Sequence, residues 1–217
     1  MARSPASKIK SPWEPVEARK RERSVKRDAV LKTAVLFFNE KGFHATSLDD
    51  VAESLNVTKP TIYHYFSNKD EILYECTRQG LETIRHAVAE VVNRNGNAHE
   101  RLAALLHDYA LYMTQDFGMC VVRTADYELS EESRKQFRAL KHEIDLLVRG
   151  VIAEGMAEGS IARGDPRLVT FTVTGALNWI AKWYRADGPV SAEDAVKACV
   201  DTLMNGLTPR AAGASHG

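Results

Sequence analysis

Residues 46–70 read TSLDDVAESLNVTKPTIYHYFSNKD, which describes two short helices joined by a tight turn. Thr46 or Ser47 can cap a first helix from Leu48 to about Leu55, and Asp49 and Asp50 fall in its first turn, where the helix dipole favours negative charge. Leu48, Val51, Ala52 and Leu55 recur at i, i+3, i+4 and i+7, so one face is apolar. Asn56-Val57 breaks the pattern. Thr58 then caps a second helix, Lys59 to about Phe66, with Pro60 in the first turn, where a missing N–H is harmless. Ile62 and Phe66 share one face; Lys59, Thr61, Tyr63 and His64 occupy others. Such a helix suits a DNA groove, because it offers donors for phosphates and base edges and a ring for thymine methyls.

The longer stretch GFHATSLDDVAESLNVTKPTIYHYFSNKDEIL, Gly42 to Leu73, resembles the helix-turn-helix domain of TetR-type transcriptional regulators. The likeness rests on the entry Gly42, Phe43, Thr46 and Ser47, the D-x-A-x-x-L first helix, the T-K-P-T-x-Y-x-Y-F second helix and the following N-K-D. It spans about residues 26–75. It implies that Lys59, Pro60, Thr61, Tyr63 and His64 face the major groove, and Thr58 beside them is a further DNA-binding candidate. Tyr63 and Tyr65 are implied as phosphate or base contacts, unless one of them is core, with Tyr65 the one expected to be at least half buried. Lys69 is implied to meet a phosphate at the start of the next helix, where free N–H groups already attract one. Thr46 is expected to give a hydroxyl or backbone N–H to the same strand.

Charge is uneven although it sums to zero over 217 residues. Residues 1–27 hold nine Lys and Arg against three Glu, leaving 20 basic and 26 acidic side chains elsewhere. A basic arm releases counterions when it meets phosphates; it equally reads as a solubilising tail. Pro5, Pro12 and Pro15 argue against helix before about Glu17, and Arg19 to Arg23 read as an extension of the first helix. Cys76, Cys120 and Cys199 are isolated and odd in number, so neither a disulfide framework nor a zinc site is indicated. No secretory signal or bilayer-length apolar run stands out, which leads to a cytoplasmic expectation. No metal and no cofactor is implied.

The rest of the chain reads as helix after helix, with no alternating strand pattern. A first helix, about Val25–Lys41, carries Leu31, Ala34, Val35 and Phe38 on its core face and ends at Gly42. Further helices are expected at about 69–93, 98–114, 117–128, 131–158, 166–185 and 192–206, divided by Gly, Asn and Pro clusters. The expected fold is therefore all-α, with nine helices in two domains. Its parts are a flexible basic arm at 1–22, a helix-turn-helix domain at 23–70, a helical ligand-binding and dimerisation domain at 71–208 and a disordered tail at 209–217.

One recognition helix reads too few base pairs for a useful address, so a homodimer on a pseudo-palindromic operator is expected. Leu168, Phe171, Thr172 and Gly175, with Val196, Val200 and Leu203, are the candidate dimer face; monomer core is the competing reading. Arg123 sits among apolar neighbours and needs a partner: an internal pair with Asp126 or Glu143, or an anionic ligand. The run from Gly175 to Arg185, G-A-x-N-W-x-x-x-W-Y-R, reads as core and dimer packing or as ligand contact. It also resembles TetR-type regulators of fatty-acid and steroid catabolism, whose members answer to acyl-coenzyme A thioesters. That likeness implies a small-molecule effector, with an acyl-CoA as the candidate, in a slot lined by Leu105, Tyr109, Tyr112, Met113, Phe117, Met119, Trp179 and Trp183, with Asn178 a further candidate ligand contact. Arg123, Lys182 and Arg185 are then the cations for its head group. Two rivals stand beside this. A ligand-independent DNA binder would dock a protein partner through its helical half. An enzyme is disfavoured, since His86 and Glu90, and His107 and Asp108, belong to no nucleophile, phosphate or two-His metal motif.

Overall fold

The computed structural model describes residues 16–206. The described residues form nine α-helices and one 3₁₀ turn, without strands. Most of the expected basic arm and all of the expected tail at 209–217 lie outside this range. Within it, α1 spans Val16–Lys41, so residues 16–22 are helical rather than flexible. The reason is local. After Pro15 the run EARKRERS holds no glycine or β-branched residue, and Glu22 and Lys26 pair one turn apart.

Helices α2 (Leu48–Ser54) and α3 (Lys59–Tyr63) complete the reading head. Ser47, not Thr46, caps α2, by accepting the Asp49 N–H. Thr58 stands at the N-cap of α3 but caps nothing; its hydroxyl meets that of Thr61 at 3.0 Å. Helix α3 stops at Tyr63, three residues early. The His64 N–H is shared between the Pro60 and Thr61 carbonyls and Tyr65 bonds back to Ile62, a tightening that turns Phe66 into the core. Val30, Leu31, Ala34, Val35 and Phe38 of α1 close that small core with Val51, Ala52 and Ile62.

Helix α4 (Lys69–Val92) begins where the reading head ends, capped by Asn68, and runs into the larger half. There it packs against α5 (Ala98–Tyr112), α6 (Asp116–Arg123) and α7 (Glu131–Glu158). Ile72, Cys76, Ile84, Val88 and Val91 are its buried stripe. Helix α6 ends at Arg123, five residues early, because the chain turns extended at Thr124 and Ala125 and then forms a 3₁₀ turn, Asp126–Glu128. A Cβ on Gly118 would collide with the Tyr112 carbonyl, so glycine is what lets α6 fold back on the end of α5. Helices α8 (Pro166–Trp183) and α9 (Ala192–Asn205) pack on α5, and α8 also touches α6 and α7. Among the described residues no helix is long and apolar enough to cross a membrane.

Candidate DNA interface and effector cavity

The exposed side of α3 is the polar one. Pro60, Thr61, Tyr63 and His64 are exposed, while Ile62 is fully buried. Lys59 is partly covered and pairs with Asp49 of α2 at 2.8 Å; the contact holds the carboxyl below its ordinary pKa and the ammonium above its own. Tyr65 is half-buried, with its ring edge-on to His64, as expected of the inner tyrosine. Arg27 of α1 supports this arrangement. Its guanidinium lies 4.4 Å over the Phe66 ring, donates to the Tyr65 carbonyl at 3.5 Å and pairs with Glu75 of α4 at 3.3 Å. Sequence reasoning missed Arg27 because it sits in a charged run without any local pattern.

Two expected phosphate ligands are already employed. Thr46 is buried, and its hydroxyl and N–H both go to the Gly42 carbonyl, at 2.8 and 3.2 Å. The Lys69 ammonium donates to the carbonyls of Phe43 at 2.8 Å and Thr46 at 3.0 Å and lies 4.4 Å over the Phe43 ring. Burial lowers its pKa. Lys69 therefore fastens the α1–α2 turn to the head of α4 instead of reaching outward. Lys69→Ala is expected to lower stability by about 1–3 kcal/mol by removing the donor that those carbonyls share, with only a longer bond from the Thr46 N–H left to the Phe43 carbonyl. The slope of log affinity against log salt should stay as it was; a slope lower by about one would restore the phosphate role. By contrast, Tyr63→Ala should leave the melting temperature unchanged and reduce specific over non-specific binding by about 1–3 kcal/mol in competition titrations.

The larger half holds a cavity of about 550 Å³. Its interior is Leu81 and Ile84 of α4, Tyr109 of α5, Val121 and Val122 of α6 and Ile144 of α7. Its exposed lining residues are Lys141, His142, Arg167 and Phe171, with Asp145 and Arg149 half-covered beside them. Tyr109 and Asn178 are the expected ligand residues that line it. Leu105 and Met113 are buried in the core behind, and Tyr112 and Phe117 pack against that core.

The expected cations and tryptophans stand elsewhere. Arg123 donates to the Ala181 carbonyl at 2.9 Å and to the Asn39 carbonyl at 2.8 Å, so it joins α8 to the end of α1. It neither pairs with Asp126 or Glu143 nor borders the large cavity. Asp126 binds Arg138, and Glu143 lies 3.9 Å from Arg85. Arg123 lines instead a pocket of about 140 Å³ with Phe38, Asn39, Phe43 and Cys120, between the two halves. Lys182 is exposed, and Arg185 is exposed and paired with Asp187 at 2.9 Å. Trp179 and Trp183 are 64% and 43% exposed. They continue a row with Leu168, Thr172 and Gly175, all exposed, along one face of α8. Phe171 stands at the edge of this row and also lines the cavity. Val196 and Val200 do not join it: they are buried where α9 packs on α5, and Leu203 is half-buried. The basic groups that do border the cavity, Lys141, Arg149 and Arg167, had no signal beyond their place beside apolar stripes.

An exposed polar helix end, held by a three-helix support and continued by α4 into a hollow helical body, defines a helix-turn-helix DNA-binding regulator. The chain belongs to the TetR family of such regulators and is not an enzyme. Residues 30–76 match the family model described as bacterial regulatory proteins, tetR family, and residues 95–207 match the tetracyclin repressor-like C-terminal domain. The chain is 26% identical over 193 residues to the HTH-type transcriptional repressor KstR2 of Mycobacterium tuberculosis, across 84% of this chain and 93% of that one. The structure of the TetR family regulator PfmR from Thermus thermophilus superposes with a TM-score of 0.76 at 30% identity, covering 83% of this chain and 99% of the other. AibR, solved in complex with isovaleryl coenzyme A and operator DNA, gives a TM-score of 0.74 at 25% identity, covering 82% and 97%.

Proposed function

We propose that this regulator is a repressor that holds a pseudo-palindromic operator as a homodimer and is released by an acyl-CoA thioester. It acts in the cytoplasm, where operator and thioester meet. One observation carries the effector class: Leu81, Ile84, Val121, Val122 and Ile144 give the cavity apolar walls, and Lys141, Arg149 and Arg167 gather at its outer side, against one carboxylate, Asp145, which pairs with Arg149. An acyl group needs the first environment and phosphates need the second. The relation to AibR, whose structure contains isovaleryl coenzyme A, supports the same class. A helical half that only docked a protein would need no such hollow. Pairing through the exposed α8 row would present two copies of α3 to successive grooves.

Release follows from shared walls. Leu81 and Ile84 line the cavity on the same helix whose first residue, Lys69, fastens the reading head. A ligand that fits better when α4 is displaced changes the spacing of the two recognition helices, and it shifts the equilibrium only by that difference in affinity. The test begins with capture of genomic fragments by the purified chain. The bound fragment is then followed by fluorescence anisotropy while isovaleryl, octanoyl and dodecanoyl coenzyme A are added. At least one thioester should weaken binding tenfold or more, with free coenzyme A inactive. Unchanged anisotropy with every chain length would overturn the effector class.

A further inference from the structure

Helix α8 turns three faces to three surroundings. Thr170, Val173, Leu177 and Ile180 face the core, and Leu168, Thr172, Gly175 and Trp179 face outward. Between these two faces lie Arg167, Phe171, Thr174 and Asn178, all lining the large cavity. Steps of four, three and four residues keep them on one stripe. The stripe is graded. Arg167 and Phe171 are exposed, whereas Thr174 and Asn178 are half-buried.

At the outer end, the guanidinium groups of Arg167 and Arg149 lie 5.4 and 6.0 Å from the Phe171 ring centroid. The Arg149 Nε is buried and has no partner, while the outer end of the same guanidinium pairs with Asp145, one turn back on α7, which also lines the cavity. At the inner end, the Tyr109 hydroxyl donates to Asn178 Oδ1 at 2.7 Å. Burial pushes the Tyr109 phenol up to about 12, so it remains a protonated donor at neutral pH. Its bond fixes the carboxamide with the Oδ1 engaged. The Nδ2 makes no hydrogen bond among the described residues and is not sealed off like the Arg149 Nε, so it is free to donate to an acceptor that a ligand brings. Thr174 offers no competing donor, because its hydroxyl is given to the Thr170 carbonyl at 2.8 Å.

The two ends are eleven residues apart, about 16 Å along a helix rising 1.5 Å per residue. An extended chain advances about 3.5 Å for every three bonds, so the thirteen bonds from pyrophosphate phosphorus to thioester sulfur span about 15 Å. We infer that the α8 stripe measures the pantetheine arm of the effector: Arg167 and Arg149 hold the pyrophosphate, and Asn178 Nδ2 donates to the thioester carbonyl. This rests on the acyl-CoA reading above and adds to it the residue that tells a thioester from its neighbours in chemistry.

Calorimetric titration of the full chain with isovaleryl and dodecanoyl coenzyme A, and with thioether counterparts in which CH2 replaces the carbonyl, separates the possibilities. The thioester should bind about tenfold to a hundredfold more tightly than its thioether. Asn178→Leu should erase that preference, and Tyr109→Phe should reduce it without altering the fold. Arg167→Ala should weaken both coenzyme A ligands about tenfold while leaving S-acyl pantetheine, which lacks the phosphates, unaffected. Equal binding of thioester and thioether by the unaltered chain overturns this inference and leaves the acyl-CoA reading standing. Retention of the preference by Asn178→Leu likewise overturns it. If no coenzyme A ligand binds the unaltered chain, both fall together.

Discussion

The doubly substituted Leu168→Glu, Trp179→Glu protein is expected to be a folded monomer that has lost operator affinity by about a hundredfold or more. Both side chains are more than three-fifths exposed in the single chain, at 62% and 64%, so their removal takes nothing from its core. In a pair related by two-fold symmetry each would meet the same face of the other copy. Four new carboxylates would then be forced together out of water. A monomer offers one recognition helix to one half-site and loses the contacts of the other. Sedimentation velocity gives the assembly state, circular dichroism the helix content and anisotropy the affinity. A dimer that survives both substitutions would place the pairing face somewhere other than α8.

Arg123→Ala is expected to separate the two halves without harming either. The guanidinium holds the Asn39 carbonyl near the end of α1 and the Ala181 carbonyl near the end of α8, while its own helix contributes Val121 and Val122 to the cavity. Asn39 adds a second tie, from its Nδ2 to the Asp116 carbonyl at the start of α6 at 2.8 Å. Loss of the Arg123 clamp should leave operator affinity within about threefold and effector affinity of the DNA-free protein unchanged. What should fall is the coupling between them, typically about 1–3 kcal/mol in such systems, to the part that α4 carries alone. The same substitution would also silence a ligand-contacting arginine. Calorimetry on the DNA-free variant tells the two apart, because a contact residue would lose about tenfold or more in effector affinity.

The reading head is legible in the sequence because its signals are local. Ser47 before two aspartates, Pro60 in a first turn and the spacing of Leu48, Val51 and Ala52 each depend on neighbours within one or two turns. The same holds for the alternation of helices and breaks. The errors fall where partners lie far along the chain. Thr46 and Lys69 belong to types that bind phosphate, yet the Gly42, Phe43 and Thr46 carbonyls come first. Arg123 reads rightly as a charge that needs partners, but those partners are backbone carbonyls 84 and 58 residues away, which no sequence pattern announces. Apolar helices with two greasy sides are a further limit. Val196 and Trp179 look equally fit for a dimer face, and only packing of α9 on α5 tells core from surface. Arg149 and Arg167 escape notice for a related reason. A surface arginine beside an apolar stripe is ordinary in a sequence, and it becomes a candidate ligand only when α7 and α8 bring two of them to one cavity.

In the proposed function, one molecule weighs operator against thioester, and the two ligands share one thermodynamic cycle. That function is tested most directly by measuring all four dissociation constants of the cycle at one salt concentration: operator with and without acyl-CoA, and acyl-CoA with and without operator. Each ligand should weaken the other by the same factor, about tenfold or more. Tight binding of the thioester with an operator affinity that does not move would contradict the proposed function.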